Sequence, residues 1–133
     1  MRLGGKARYL TDINTPSELI QAIGWAKKRE LATIMIGIGS NIVWGDKGFN
    51  GLVMVNKIRG YHMAPRDNEA AYLTVGAGEN WDDVGRRSVQ GGFSGIAELS
   101  LIPGTAGATP VQNVGAYGKE ISDSLICLEA FDN

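Results

Sequence analysis

Ile102-Pro103-Gly104-Thr105-Ala106-Gly107-Ala108-Thr109-Pro110-Val111-Gln112-Asn113-Val114-Gly115-Ala116-Tyr117-Gly118 is the stretch on which the reading of this chain turns. It holds four glycines, two prolines and no charged side chain. Such a run forms neither a regular helix nor a central strand, because glycine and proline interrupt both. A loop of this length inside a small domain is usually either functional or disordered. The prolines and the absence of charge argue against disorder. Small side chains leave room for a flat ligand to lie on the backbone, so the stretch reads as a binding loop.

Two further glycine clusters stand upstream. Gly37-Ile38-Gly39-Ser40-Asn41 follows an apolar, β-branched run at residues 33–36. Successive N–H groups in such a turn can converge on an anion, with Ser40 and Asn41 adding side-chain donors. The same glycines also suit a tight turn with positive φ, and spacing alone does not separate the two readings. Gly76-Ala77-Gly78-Glu79-Asn80-Trp81 is the other cluster. Neither completes G-x-G-x-x-G, because Ile42 and Trp81 occupy the last position, and no P-loop pattern occurs anywhere. A nucleotide held by this chain is therefore held by another architecture.

The elements around these loops predict an α+β fold. Residues 7–13 read as a strand. Thr15-Pro16-Ser17-Glu18 reads as a capping box opening a helix whose Leu19, Ala22, Ile23 and Ala26 recur at helical spacing. Lys27, Lys28 and Arg29 close its last turn, where positive charge is favoured. Strands are expected at residues 33–36, 52–55, 72–75 and 125–131. A second helix is expected from Trp81 to Gln90, capped by Asn80 and ended by Gly91-Gly92. Residues 57–69, with a turn at 65–68, read as the boundary between a βαβ-type lobe of about 1–57 and a mixed lobe of about 58–133.

Composition narrows the function classes. The chain has 133 residues, 44% hydrophobic and 20% charged, which is ordinary for one globular domain. Its 19 glycines are about twice the usual ~7% share. Lys and Arg total 13 against 14 Asp and Glu, so no basic face invites nucleic acid. One cysteine, Cys127, and one histidine, His62, make neither an internal disulfide nor a zinc set. No apolar run reaches the roughly 20 residues of a membrane span, and the start at Met1 has no signal-peptide core. A cytoplasmic protein without membrane or nucleic-acid partners is the expectation. Cys127 reads as a core residue in the last strand, and Trp25, Trp44 and Trp81 as core aromatics. His62 reads as solvated, and Glu79 and Glu98 as structural or surface carboxylates.

Taken together and in order, the three glycine motifs resemble the N-terminal, FAD-binding part of the MurB family, the UDP-N-acetylenolpyruvoylglucosamine reductases. The motif at 102–118 is the specific one. The resemblance implies the two-lobed FAD-binding module shared with vanillyl-alcohol oxidase-type flavoenzymes, with FAD held non-covalently and NADPH as co-substrate. It implies cofactor contacts at Ile36, Gly37, Gly39, Ser40, Asn41 and Ile42 in the first loop. In the second it implies contacts at Ile102, Pro103, Gly104, Ala108, Thr109, Pro110, Gln112, Gly115, Ala116, Tyr117 and Gly118. Tyr117 is expected either beside the flavin or packing the loop shut. Ile38 stands where the family commonly has glycine or glutamate. Ala108-Thr109 stands in place of a small or Ser-Ser pair.

The family carries its substrate-binding lobe, a Tyr-Arg-x-Ser motif, a proton-donating serine and an assisting glutamate downstream of the position matching Asn133. The expectation is thus a cofactor-binding portion with no catalytic residue and no metal site of its own. It would belong to a reductase acting on a nucleotide-sugar enolpyruvyl ether. The alternatives are a non-catalytic flavin- or nucleotide-binding module, or another oxidase of the same FAD-binding class. Covalent attachment in that class commonly uses His or Cys, and both lie outside the glycine loops here.

Overall fold

The structure is a computed structural model that describes residues 4–132; the expected start of the first lobe at Met1 lies outside the described residues. β1 (Ala7–Ile13), α1 (Pro16–Lys27), β2 (Ala32–Ile36) and β3 (Phe49–Asn56) come first. The three strands form one parallel sheet in the order β1-β3-β2. The central strand carries the continuous buried run Leu52, Val53 and Met54, as a strand covered on both faces should.

Register decides which side chains meet α1. Tyr9 and Thr33 pair with Leu52, and Thr11 and Met35 pair with Met54, so these residues share one face. The fully buried Ala26 and the half-buried Leu19, Ala22, Ile23 and Trp25 of α1 close over that face and Ile13. The Thr15 hydroxyl caps α1 by accepting the Glu18 N–H at 3.1 Å. The reciprocal arm of the expected capping box is shifted by one residue: the Glu18 carboxylate accepts the Asn14 N–H at 2.7 Å. Arg29, just past the helix, lies 4.4 Å over the Trp25 ring, and Trp25 meets Tyr9 edge-on at 5.1 Å.

The rest of the chain is antiparallel and loop-rich. β4 (Tyr61–Pro65) and β5 (Ala71–Val75) form a hairpin, and α2 (Trp81–Gln90) follows. Short 3₁₀ turns at Ala97–Leu99, Ala106–Ala108 and Ile121–Asp123 flank a two-residue hairpin of β6 (Gly115–Ala116) and β7 (Lys119–Glu120). Trp81, Val84, Leu99, Val114 and Ile121 form this region's own core, against which Tyr61, Leu73 and Val75 of the β4–β5 hairpin pack. The Trp81 indole N–H donates to the Leu99 carbonyl at 2.8 Å, so the ring is buried without an orphaned donor.

Four expectations are corrected. Residues 125–131 are not a strand: no other segment among the described residues pairs with them, and a strand needs a partner for its N–H and C=O groups. Cys127 is accordingly exposed rather than core. Trp25 and Trp44 are half-buried, and only Trp81 is fully core. The fourth is an element the sequence reading lacked: β4 lies within residues 57–69, and the turn follows Pro65, with the Arg66 N–H bonded to the Ala70 carbonyl at 2.9 Å.

Candidate functional site

The three glycine clusters meet. The first loop leaves the end of β2, as ligand loops of parallel sheets do. A Cβ on Gly37 would stand 2.6 Å from the Thr105 Oγ1, so this glycine is required by close approach. The Ser40 hydroxyl donates to the Pro103 carbonyl at 3.1 Å. The third cluster joins from the other side. The Gly104 carbonyl accepts the Trp81 N–H at 3.2 Å, and the Glu79 and Ala77 carbonyls each accept, at 2.9 Å, from Ala106 and Gly107. A Cβ on Gly107 would lie 2.6 Å from the Ala77 Cβ. Thr105 sits at the centre, 3% exposed, in a β-bridge with Asn80.

The first loop has the character of an anion nest. Gly39 adopts φ +72°, and nothing lies within 4 Å of where its Cβ would be. Among the described residues, the N–H groups of Ile38, Gly39, Ser40 and Asn41 meet no protein acceptor. Consecutive unengaged N–H groups beside an open glycine suit phosphate oxygens. Ser40 and Asn41 are exposed and Ile42 is half-buried. Ile36 lines a small apolar cavity of about 120 Å³ with Leu10, Trp44, Phe49 and Val53.

The second loop is different in kind. The N–H groups of residues 106–109 and 112–114 all bond to carbonyls, and Thr105, Thr109 and Val114 are buried. The Thr109 hydroxyl donates to the Ala106 carbonyl at 2.8 Å. Gly104 is buried at φ +154°, Ile102, Ala108, Pro110, Gln112 and Ala116 are half-buried, and Pro103, Gly115 and Gly118 are exposed. Tyr117 (φ +54°) and Gly118 (φ +78°) form the two-residue turn between β6 and β7, the positive-φ turn that suits a tight hairpin. The Tyr117 side chain is 91% exposed, so it does not pack the loop shut.

An open concavity of about 520 Å³ lies at this hairpin and includes Gly115, Ala116 and Gly118. Lys119, Glu120 and Asp123 also line it, so acidic side chains outnumber the one basic side chain there.

Glu79 was read as structural, and it is built as such. Its carboxylate accepts the Gly60 N–H at 2.9 Å and the Arg59 guanidinium at 3.2 Å. The Gly60 N–H, followed by Arg59, holds its carboxyl below the ordinary glutamate range despite some burial. His62 and Glu98 are exposed. Among the described residues no group of His, Cys, Asp and Glu is arranged to hold a metal ion, and no helix is long and apolar enough to cross a membrane.

Residues 8–133 match the family described as FAD binding domain. The chain belongs to that family. Within it, the chain is 42% identical over 131 residues to the UDP-N-acetylenolpyruvoylglucosamine reductase of Streptomyces coelicolor, covering 98% of this chain and 33% of that protein. The enzymes of the same name from Salinispora arenicola (36% identical over 132 residues) and Ralstonia nicotianae (40% over 134) are similar across 99% and 98% of the chain. They are covered over 36% and 39% of their own lengths. The chain thus spans about a third of the curated relatives it matches. Family membership fits the residues on the page: an open positive-φ glycine and a row of free N–H groups form a cradle of the kind a dinucleotide's phosphates require.

Sequence reasoning left Ala77, Glu79, Thr105 and Gly107 out of the site. Ala77 and Glu79 hold the second loop through Gly107 and Ala106, and Thr105 meets Gly37 of the first. The repeated small residues of 76–78 were the available signal, because backbone-to-backbone packing needs an absence of side chains.

Proposed function

We propose that this chain is the FAD-holding portion of a cytoplasmic reductase that uses NADPH to convert UDP-N-acetylglucosamine enolpyruvate to UDP-N-acetylmuramate for peptidoglycan synthesis. The observation that carries the reading is the stretch 38–41, whose N–H groups meet no acceptor among the described residues, beside the Ser40–Pro103 contact. The similarity to reductases of that name supplies the substrate. FAD, when bound, supplies the hydride chemistry. In our reading the first loop's N–H groups bind its pyrophosphate. The residues named between Ile102 and Gly118 line its ribityl and flavin portions. The chain's own contribution is binding and orientation; the proton donor and the substrate lobe lie outside it. No His or Cys stands in either loop, which favours non-covalent binding.

The test is titration of the purified chain with FAD, followed by acid precipitation. Expected is saturable binding with all flavin recovered in the supernatant. No binding overturns the reading, and flavin retained in the pellet overturns its non-covalent part. Loaded with FAD and assayed anaerobically, the 133-residue chain should consume no NADPH in response to the enolpyruvyl substrate. General acid catalysis is typically worth 10²–10⁴-fold, and positioning more. Substrate-dependent turnover on the order of 10 s⁻¹ would place a catalytic residue within the chain.

A further inference from the structure

Among the described residues, Glu30, Leu101, Asn113 and Tyr117 are the non-glycine residues with positive φ. Glu30 follows the end of α1, Asn113 is of a type that tolerates this region, and Tyr117 sits in a hairpin turn that demands it. Leu101, at φ +62°, has no such local reason. Ser100 (φ −65°, ψ 161°) and Leu101 trace a type II-like turn, whose second central position normally takes glycine.

The turn is nonetheless held at both ends by the first turn of α2. The Trp81 indole N–H donates to the Leu99 carbonyl, and the Asp82 carboxylate accepts the Leu101 N–H, both at 2.8 Å. The result is a rigid turn that thrusts a leucine, 86% exposed, into solvent. Two unfavourable features, a left-handed leucine and its exposed apolar side chain, are thus maintained together. They occur two residues before Pro103, whose carbonyl ties the second glycine loop to Ser40 of the first. Strain that the surroundings enforce is a mark of function when it coincides with a site.

We propose that Leu101 is a cofactor-contacting residue, its aliphatic side chain presented by the pinned turn to cover one face of the flavin ring. This rests on the reading above that the adjoining loops hold FAD. An aliphatic group at fixed position against a flat ring removes apolar surface from water without losing freedom on binding.

The experiment compares wild type with Leu101→Gly and Leu101→Asn, two residues that accept positive φ and lack the aliphatic group. Thermal unfolding without ligand and titrations with FAD, riboflavin and AMP are measured on each. Expected are variants that unfold no earlier than wild type and bind FAD and riboflavin about tenfold more weakly. AMP affinity should be unchanged, and the bound flavin's visible band should move toward that of free flavin. FAD affinity within about twofold of wild type in both variants would overturn the role of Leu101, as would a loss shared by AMP. Earlier unfolding of both variants would overturn it too, since the side chain would then serve the protein alone. Wild type that binds no FAD would instead overturn the parent reading, and Leu101's role with it.

Discussion

The two glycine loops look alike in sequence and differ in how their backbones are satisfied. Among the described residues, the loop at 37–41 leaves four successive N–H groups without a protein partner and keeps open space at Gly39. The loop at 102–118 bonds the N–H groups of residues 106–109 and 112–114 within itself or to residues 77 and 79, and buries Thr105, Thr109 and Val114. In the proposed reading the first loop takes the cofactor's phosphates and the hydrogen-bonded second loop lies beside its flavin. Glycine serves chain-to-chain approach at Gly37 and Gly107 and leaves open space at Gly39. Glycine content therefore does not distinguish a binding loop from a scaffold. The fate of the N–H groups does.

The sharpest way to break this comparison is to place the same kind of defect in each loop. Gly107→Val puts a branched side chain where even a Cβ would stand 2.6 Å from that of Ala77. It should cost about 3 kcal/mol of stability, the upper end of ordinary overpacking, and should appear as a lower midpoint in denaturant. A variant as stable as wild type would mean that the 77–107 contact is not part of the scaffold.

Gly39→Ala and Gly92→Ala form a matched pair. Both glycines have positive φ (+72° and +90°), and neither would bring a Cβ within 4 Å of another atom. Each should lose about 1–2 kcal/mol for forcing an L-residue into left-handed backbone. Only Gly39→Ala should also lose FAD affinity, measured where both variants are folded. Gly92, which follows the C-cap of α2, is a better control than Gly91, whose φ is −81°. Equal affinities would remove the nest assignment.

The smallest effect concerns pH. Because the Gly60 N–H and Arg59 depress the carboxyl of folded Glu79, the unfolded chain takes up this proton at higher pH than the folded protein. The stabilisation is complete above the ordinary glutamate value of roughly 4.3 and is lost as pH falls through the lower folded value. Glu79→Gln should flatten that part of the stability-pH curve. An unchanged slope would separate Glu79 from the support of the 76–81 cluster.

Much of the fold was legible because it is local. Ala7–Ile13 and Trp81–Gln90 follow from alternation, periodicity and caps, and the Asn80 side chain does accept the Asp83 N–H at 3.0 Å. Each of these signals depends on neighbours within a turn or two of the chain. Residues 125–131 show the limit. Their composition suits a strand, but a strand exists only when another segment accepts its hydrogen bonds, and Leu125, Ile126, Leu128 and Phe131 remain exposed.

The candidate site divides in the same way. Amino-acid order alone marked both glycine loops and their flat, uncharged character, because small residues and prolines constrain backbone wherever they occur. Only the tertiary structure decided that Ala77 and Glu79 buttress the second loop and that the first loop's N–H groups meet no acceptor among the described residues. It also decided that Leu101 is held in a left-handed conformation from α2. Those facts depend on which distant carbonyls, carboxylates and side chains arrive at a given N–H, and chain folding, not local sequence, sets those arrivals.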